Sequence, residues 1–161
     1  MKGMILEIRK NGDPVLRVKA LPVGEVSRDL IELTDNMLET MYNASGVGLA
    51  APQVGVPIRA IVVDTGEGPV ILFNPEIAEA WGSDLDSEGC LSIPGVYGTV
   101  ERAWGVRVKG LSRSGKKIEL SGEGLLARAL QHEIDHLDGI LFIDKARDIT
   151  NGDMRRGVGR G

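Results

Sequence analysis

The chain of 161 residues contains two histidines and one cysteine, and both histidines stand in Gln131-His132-Glu133-Ile134-Asp135-His136. On a helix, residues four apart lie on one face, so His132 and His136 point the same way, one turn apart. Two imidazoles so placed suit a single metal ion. Glu133 adjoins the first of them, where a general base for an activated water belongs. The chemistry this string offers is metal-assisted hydrolysis. The flanking run from Leu125 to Leu130, with Ile134, predicts burial, and two buried imidazoles without partners would be costly.

Two histidines do not complete a metal site. In the pattern His-Glu-x-x-His-x-x-Gly-x-x-His the third ligand is a further histidine; this chain matches as far as Gly139, but Phe142 stands where that histidine should be. Beyond His136 there is no other Glu or His. Asp144 remains open as a ligand, although an aspartate just past a helix stop is more often a cap or surface charge. The search moves upstream to Cys90, in Glu88-Gly89-Cys90-Leu91-Ser92-Ile93-Pro94. A lone cysteine is usually a small buried apolar residue. Beside the metal-facing side of a helix it would instead be held as thiolate. A Cys-His-His set leaves the fourth tetrahedral position open, as a catalytic site needs.

The elements that must position these residues follow from composition and periodicity. Apolar residues make up 42% and charged residues 26%, which suits one globular domain with a real core. A net charge of −4 gives no basic footprint for nucleic acid. One cysteine forms no internal disulfide. With no signal-peptide core and no apolar run long enough for a membrane span, the cytoplasm is the expected location. The 22 glycines are about twice the usual share and predict many tight turns in a β-rich body.

Residues 27 to 43 read as a helix, with Ser27 as N-cap and an apolar stripe of Leu30, Ile31, Leu33, Met37, Leu38, Met41 and Tyr42. A small-residue loop follows, from Ser45 to Gln53. Strand-like runs come next: Ile58 to Asp64, Val70 to Asn74, and Ile77 to Trp81. Val106 to Lys109 and Ile118 to Leu120 flank a turn and read as a hairpin. A second, central helix is expected from Gly124 to Leu137, stopped by Gly139. Residues 1–150 are expected to form a single catalytic domain, and 151–161 a disordered Gly/Arg-rich tail.

Taken together, three segments resemble the signature of the bacterial peptide deformylases. They are Gly46-Val47-Gly48-Leu49-Ala50-Ala51-Pro52-Gln53, Glu88-Gly89-Cys90-Leu91-Ser92 and Gln131-His132-Glu133-Ile134-Asp135-His136, in the family's order. Weaker resemblance covers most of residues 5 to 147. It implies an α+β fold, with antiparallel sheets packed around a central metal-binding helix and an N-terminal helix. It implies Cys90, His132 and His136 as metal ligands and Glu133 as general acid/base. Gln53 and the Leu91 N–H would stabilise an oxyanion, and Gly46 and Gly48 would border the substrate. Gln53 has a physical case of its own, since its neutral amide can donate to a developing negative oxygen. Without the resemblance, a solvated loop residue would be the plainer reading. Leu125 and Ala129 are placed either to line a side-chain pocket or to pack in the core. Glu88 and Arg102 are either an ion pair or two independent surface charges.

The implied activity is removal of the N-formyl group from the N-terminal methionine of nascent peptides, releasing formate. Fe²⁺ is the favoured ion, with Zn²⁺ as the alternative; a ferrous thiolate site would be oxygen-sensitive. The ribosome near the nascent-chain exit is the further partner the resemblance suggests. Several deformylases continue into a C-terminal helix, however, whereas here Asn151-Gly152 breaks any helix. Two other readings compete: a zinc endopeptidase using Asp144 or a ligand not visible in the motif, and an inactive peptide- or ribosome-binding homologue. The intact Glu133 and Gln53 count against the second.

Overall fold

The computed structural model describes residues 3–151. The expected tail, from residue 152 onward, lies outside them. Ser27 opens the first helix as expected: its Oγ accepts from the Leu30 N–H at 3.3 Å, satisfying one of the donors a helix start leaves open. Helix α1 spans Arg28–Asn43. The chain then forms strands β1 (Gly48–Ala50), β2 (Ala60–Val63), β3 (Val70–Trp81), β4 (Asp84–Cys90), β5 (Ile93–Arg102), β6 (Gly105–Leu111) and β7 (Lys117–Glu123). Helix α2 (Leu125–Leu137) and strand β8 (Arg147–Asn151) complete the described chain.

Two antiparallel sheets result, one ordered β1-β2-β3-β6-β7 and the other β4-β5-β8. The larger sheet is covered on both faces. Alternation along β2 sends Ala60 and Val62 into a cluster with Met37 and Met41 of α1. It sends Ile61 and Val63 into a cluster with Ala127, Ala129, Leu130, Ile134 and Leu137 of α2. A strand buried on both faces reads as a continuous apolar run, which is why the Ile58 to Asp64 segment was legible. Each fully buried Ile, Leu or Val of this kind contributes about 1.5–3 kcal/mol.

Helix α2 is therefore central, as its nearly all-round apolar pattern predicts. Its end is fixed twice. Gly139 takes a φ of 75°, open to glycine and costly for other residues. Arg59 then reaches across to donate to the Leu137 carbonyl at 2.9 Å and to pair with Asp138 at 3.1 Å. A cation at a helix C-terminus also meets the negative end of the macrodipole.

The structure corrects several boundaries. The Ser45 to Gln53 segment is not all loop: Gly48–Ala50 pair with β2, and Ala51–Val54 form a 3₁₀ turn. The two runs either side of Pro75 are one strand, β3, with a register irregularity between Phe73 and Glu76. Proline lacks a ladder donor and is tolerated at such a bulge. Strands β4, β5 and β8 carry weak strand signals. The buried positions of β4 include Glu88 and Gly89, so it lacks apolar alternation. Strand β5 carries Pro94, Gly95 and Gly98, which read as breakers. Asn151 ends β8 paired with Val96 rather than starting a tail.

Candidate active site

Cys90, His132 and His136 come together from the end of β4 and two turns of α2. Their ligand atoms all lie within 4.8 Å of one another, and all three side chains are buried. Cys90 Sγ is 3.4 Å from His136 Nε2, and the two imidazole centroids are 5.0 Å apart. One sulfur and two nitrogens converging at this spacing suit a single ion such as Zn²⁺ or Fe²⁺. Phe142, at the position of the missing third histidine, is buried and stacks on His132 with centroids 6.3 Å apart. Asp144 is occupied elsewhere: its carboxylate pairs with Arg17 and accepts from the Leu141 N–H at 3.0 Å. That disfavours Asp144 as a third ligand and, with it, the endopeptidase reading that used it.

Glu88 and Arg102 are an ion pair and not independent surface charges. Arg102 donates from Nε to Glu88 Oε2 at 2.8 Å and from NH2 to Oε1 at 2.9 Å. Glu88 Oε1 also lies 2.9 Å from His132 Nδ1. Burial opposes the charge on Glu88, but Arg102 and His132 hold its carboxyl well below the usual range. An ionised Glu88 only accepts, so the network assigns the proton to His132 Nδ1 and leaves Nε2 for the cluster. Burial would lower the His132 pKa; hydrogen bonds to Cys90 and Glu88 outweigh it and raise it well above the ordinary value. The imidazole thus sits among groups that favour a positive charge, the environment a bound cation needs.

Glu133 projects elsewhere. It is buried, and its Oε1 makes no hydrogen bond. Burial pushes its carboxyl up to about 7, with Glu88 and Asp135 adding to the rise and His132 opposing it. An unsatisfied buried oxygen beside a ligand cluster is costly unless something binds there. Gly48 faces this carboxylate closely: a Cβ at Gly48 would fall 2.5 Å from Glu133 Oε2.

Gln53 is fully buried, contrary to the solvated-loop alternative. Its Oε1 accepts from the Ala50 N–H at 2.9 Å. Its Nε2 donates to Ser92 Oγ at 3.1 Å and lies 3.6 Å from Cys90 Sγ. The first motif is thereby tied to the second. Leu91 and Ser92 form the two-residue turn between Cys90 and its partner Ile93. The Gly46 N–H closes α1 by donating to the Met41 carbonyl at 2.9 Å. Ala129 packs in the core beside the larger sheet, and Leu125 is only partly buried.

Sequence reasoning missed Ser92, Asp84, Arg128 and Asp135. Arg102 donates to Asp135 at 2.7 Å, and Lys145 joins it at 2.9 Å. The one available signal was Arg128, a charge within an otherwise apolar helical run, four residues before His132.

An α+β fold that buries a Cys/His₂ cluster beside a carboxylate with an open oxygen defines a metal-dependent hydrolase. A profile of the family described as Polypeptide deformylase matches residues 5–152, and the chain belongs to that family. The peptide deformylase of Halothermothrix orenii is 64% identical over 143 residues, covering 88% of this chain and 93% of that one. Among solved structures, peptide deformylase from Thermotoga maritima matches with a TM-score of 0.87 at 45% identity, over 89% of this chain and 98% of that one. A Met-Ala-Ser-bound class I type b peptide deformylase from Acinetobacter baumannii matches with a TM-score of 0.84 at 40% identity, over 88% and 98%.

Proposed function

We propose how this chain's residues divide the family's reaction, the hydrolysis of N-formylmethionyl nascent peptides to formate and a free amino terminus. Cys90, His132 and His136 hold one divalent ion. When bound there, such an ion supplies Lewis acidity, bringing water toward ionisation near neutral pH and polarising a carbonyl. Glu133 takes the proton from the attacking water as the water oxygen bonds to the formyl carbon. It then delivers that proton to the amine nitrogen as the C–N bond breaks. Gln53 Nε2 and the Leu91 N–H donate to the formyl oxygen as it gains negative charge. The observation that carries this reading is the buried, partnerless Glu133 Oε1 beside the Cys/His₂ cluster.

Strand β1 is the outer strand of its sheet, so an extended peptide can lie along it and the Gly46-Val47 stretch that leads into it. Leu125, only partly buried, is assigned to the methionine pocket, with the core-packed Ala129 forming its floor. The Met-Ala-Ser peptide of the A. baumannii structure is what remains when a formyl group leaves such a substrate, which supports a formylmethionyl peptide as the substrate class. A formyl carbon bears only hydrogen beyond its oxygen and nitrogen, so a tight site excludes internal peptide bonds by size.

Fe²⁺ is the assigned ion, with Zn²⁺ as the alternative, because thiolate and imidazole suit both. The cytoplasm is the assigned location and the ribosome's nascent-chain exit the further partner. No helix of the described residues is long and apolar enough to cross a membrane. The test is metal analysis with formate release from formyl-Met-Ala-Ser, on protein purified without oxygen. One ion per chain is expected. Chelation should abolish release, and Fe²⁺ or Zn²⁺ should restore it to different extents. Full release by metal-stripped protein would overturn the assignment.

A further inference from the structure

Arg128 plays no part in the chemistry above, yet its side chain is only 3% exposed and heavily engaged. It lies one turn before His132 on α2, so both project from the same face. Its NH1 donates to Glu88 Oε2 at 2.6 Å and to the Val100 carbonyl at 3.0 Å. Its NH2 donates to the Asp84 carbonyl at 2.8 Å and to Asp84 Oδ2 at 3.3 Å. Asp84 and Glu88 belong to β4, and Val100 belongs to β5. One guanidinium on the histidine-bearing helix therefore grips both strands of the hairpin whose turn presents Cys90.

The geometry around Glu88 shows what this grip adds. A carboxylate offers about four acceptor positions. Here Oε1 serves Arg102 and His132, while Oε2 serves Arg102 and Arg128. Arg102 comes from β5 and fixes Glu88 within its own hairpin. Arg128 comes from α2 and fixes that carboxylate to the helix. A second tie, from Arg102 to Asp135, lies on the other side of His132. His132 is thus held between two clamps, at four residues before and three residues after.

We infer that Arg128 is a positioning residue of the metal site: it fixes the Cys90 hairpin against the two histidines and holds Glu88 in the orientation that aims His132. This rests on the reading of Cys90, His132 and His136 as ligands. Partners that orient metal-binding histidines typically contribute about 10–100-fold in metal affinity. A planar fork spanning two strands is something lysine cannot reproduce, even with its charge retained. A residue that only stabilised the fold would alter unfolding without altering the bound metal's spectrum.

The test titrates metal-free wild type, Arg128→Met and Arg128→Lys with Co²⁺ in the absence of oxygen. Binding is followed by thiolate-to-cobalt charge transfer and by the visible d–d bands, with folding checked by urea denaturation. Wild type should show the charge-transfer band. Folded Arg128→Met should bind about 10–100-fold more weakly, with altered d–d bands, and Arg128→Lys should recover part of the loss. If wild type shows no charge transfer, the Cys/His₂ reading itself falls. If wild type shows it and a folded variant matches wild type in both Kd and spectrum, the positioning role is overturned. Should Arg128→Met not fold, Arg128→Lys decides, and a Kd within twofold of wild type refutes the inference.

Discussion

Gly48→Ala separates the demands of the fold from those of the chemistry. The added Cβ would lie 2.5 Å from Glu133 Oε2, 2.9 Å from Cγ and 3.0 Å from Cδ. Ordinary contact begins at 3.4 Å, so the carboxylate must yield by about 0.9 Å. The three nearest atoms all belong to the Glu133 side chain. The fold can therefore relieve the strain by shifting one side chain, at the low end of the ~1–3 kcal/mol that overpacking costs. Catalysis has no such outlet, since a misplacement of ~1 Å can cost about 100-fold. Steady-state formate release from formyl-Met-Ala-Ser should show kcat down by about two orders of magnitude, with metal content unchanged. A second arm isolates the cause. Glu133→Asp withdraws the carboxylate from Gly48, so adding Gly48→Ala to that background should cost little more. A kcat within threefold of wild type at full metal occupancy would refute the reasoning, as would a loss that is equally large in both backgrounds.

Gln53→Ala should keep the metal and lower kcat by about 10²–10³, the usual cost of one oxyanion donor; an unchanged kcat with a raised KM would make Gln53 a ground-state binding residue instead. Arg59→Ala removes the donors at the end of α2 and should cost about 2 kcal/mol, since bonds involving a charged donor are worth ~1.5–3. An unshifted urea midpoint would show that water replaces them. Tyr42 is 46% exposed, yet local desolvation of its hydroxyl, and then the bond to Asp64 at 2.6 Å, push that hydroxyl up to about 12. A raised folded-state pKa contributes stability that is complete below the unfolded value near ~10 and is lost as pH climbs toward the folded one. Unfolding experiments should therefore show Tyr42→Phe flattening the alkaline decline of wild type, and identical slopes would contradict this.

Much of the architecture was legible because its signals are local. The Ser27 cap, the Met37 and Met41 stripe, the doubly buried β2 and the Gly139 stop each depend on a few neighbouring residues. What escaped depended on distant partners. Strand β4 has no apolar alternation because Glu88 faces the interior, and only Arg102 and Arg128, from two other elements, make that burial tolerable. Glycine is a poor strand residue, yet Gly98 stands within β5, where a Cβ would fall 2.8 Å from that of Ala146. A residue 48 positions away in the chain sets that requirement. Gly48 is glycine for a reason the sequence does not display: an added Cβ would meet the Glu133 carboxylate, 85 residues away in the chain.

By itself the sequence determined the ligand types, the shared face of His132 and His136, and the helix that carries them. Helical periodicity converts spacing directly into direction. It also pointed to Cys90, because no further His or Glu follows His136. Only the tertiary structure decided that Cys90 reaches the histidines, that Glu88 aims His132, and that Arg128 ties the two halves together. Those contacts span 28 to 46 residues of chain. No local preference encodes such closures; they exist because the sheets and α2 bury their faces against one another.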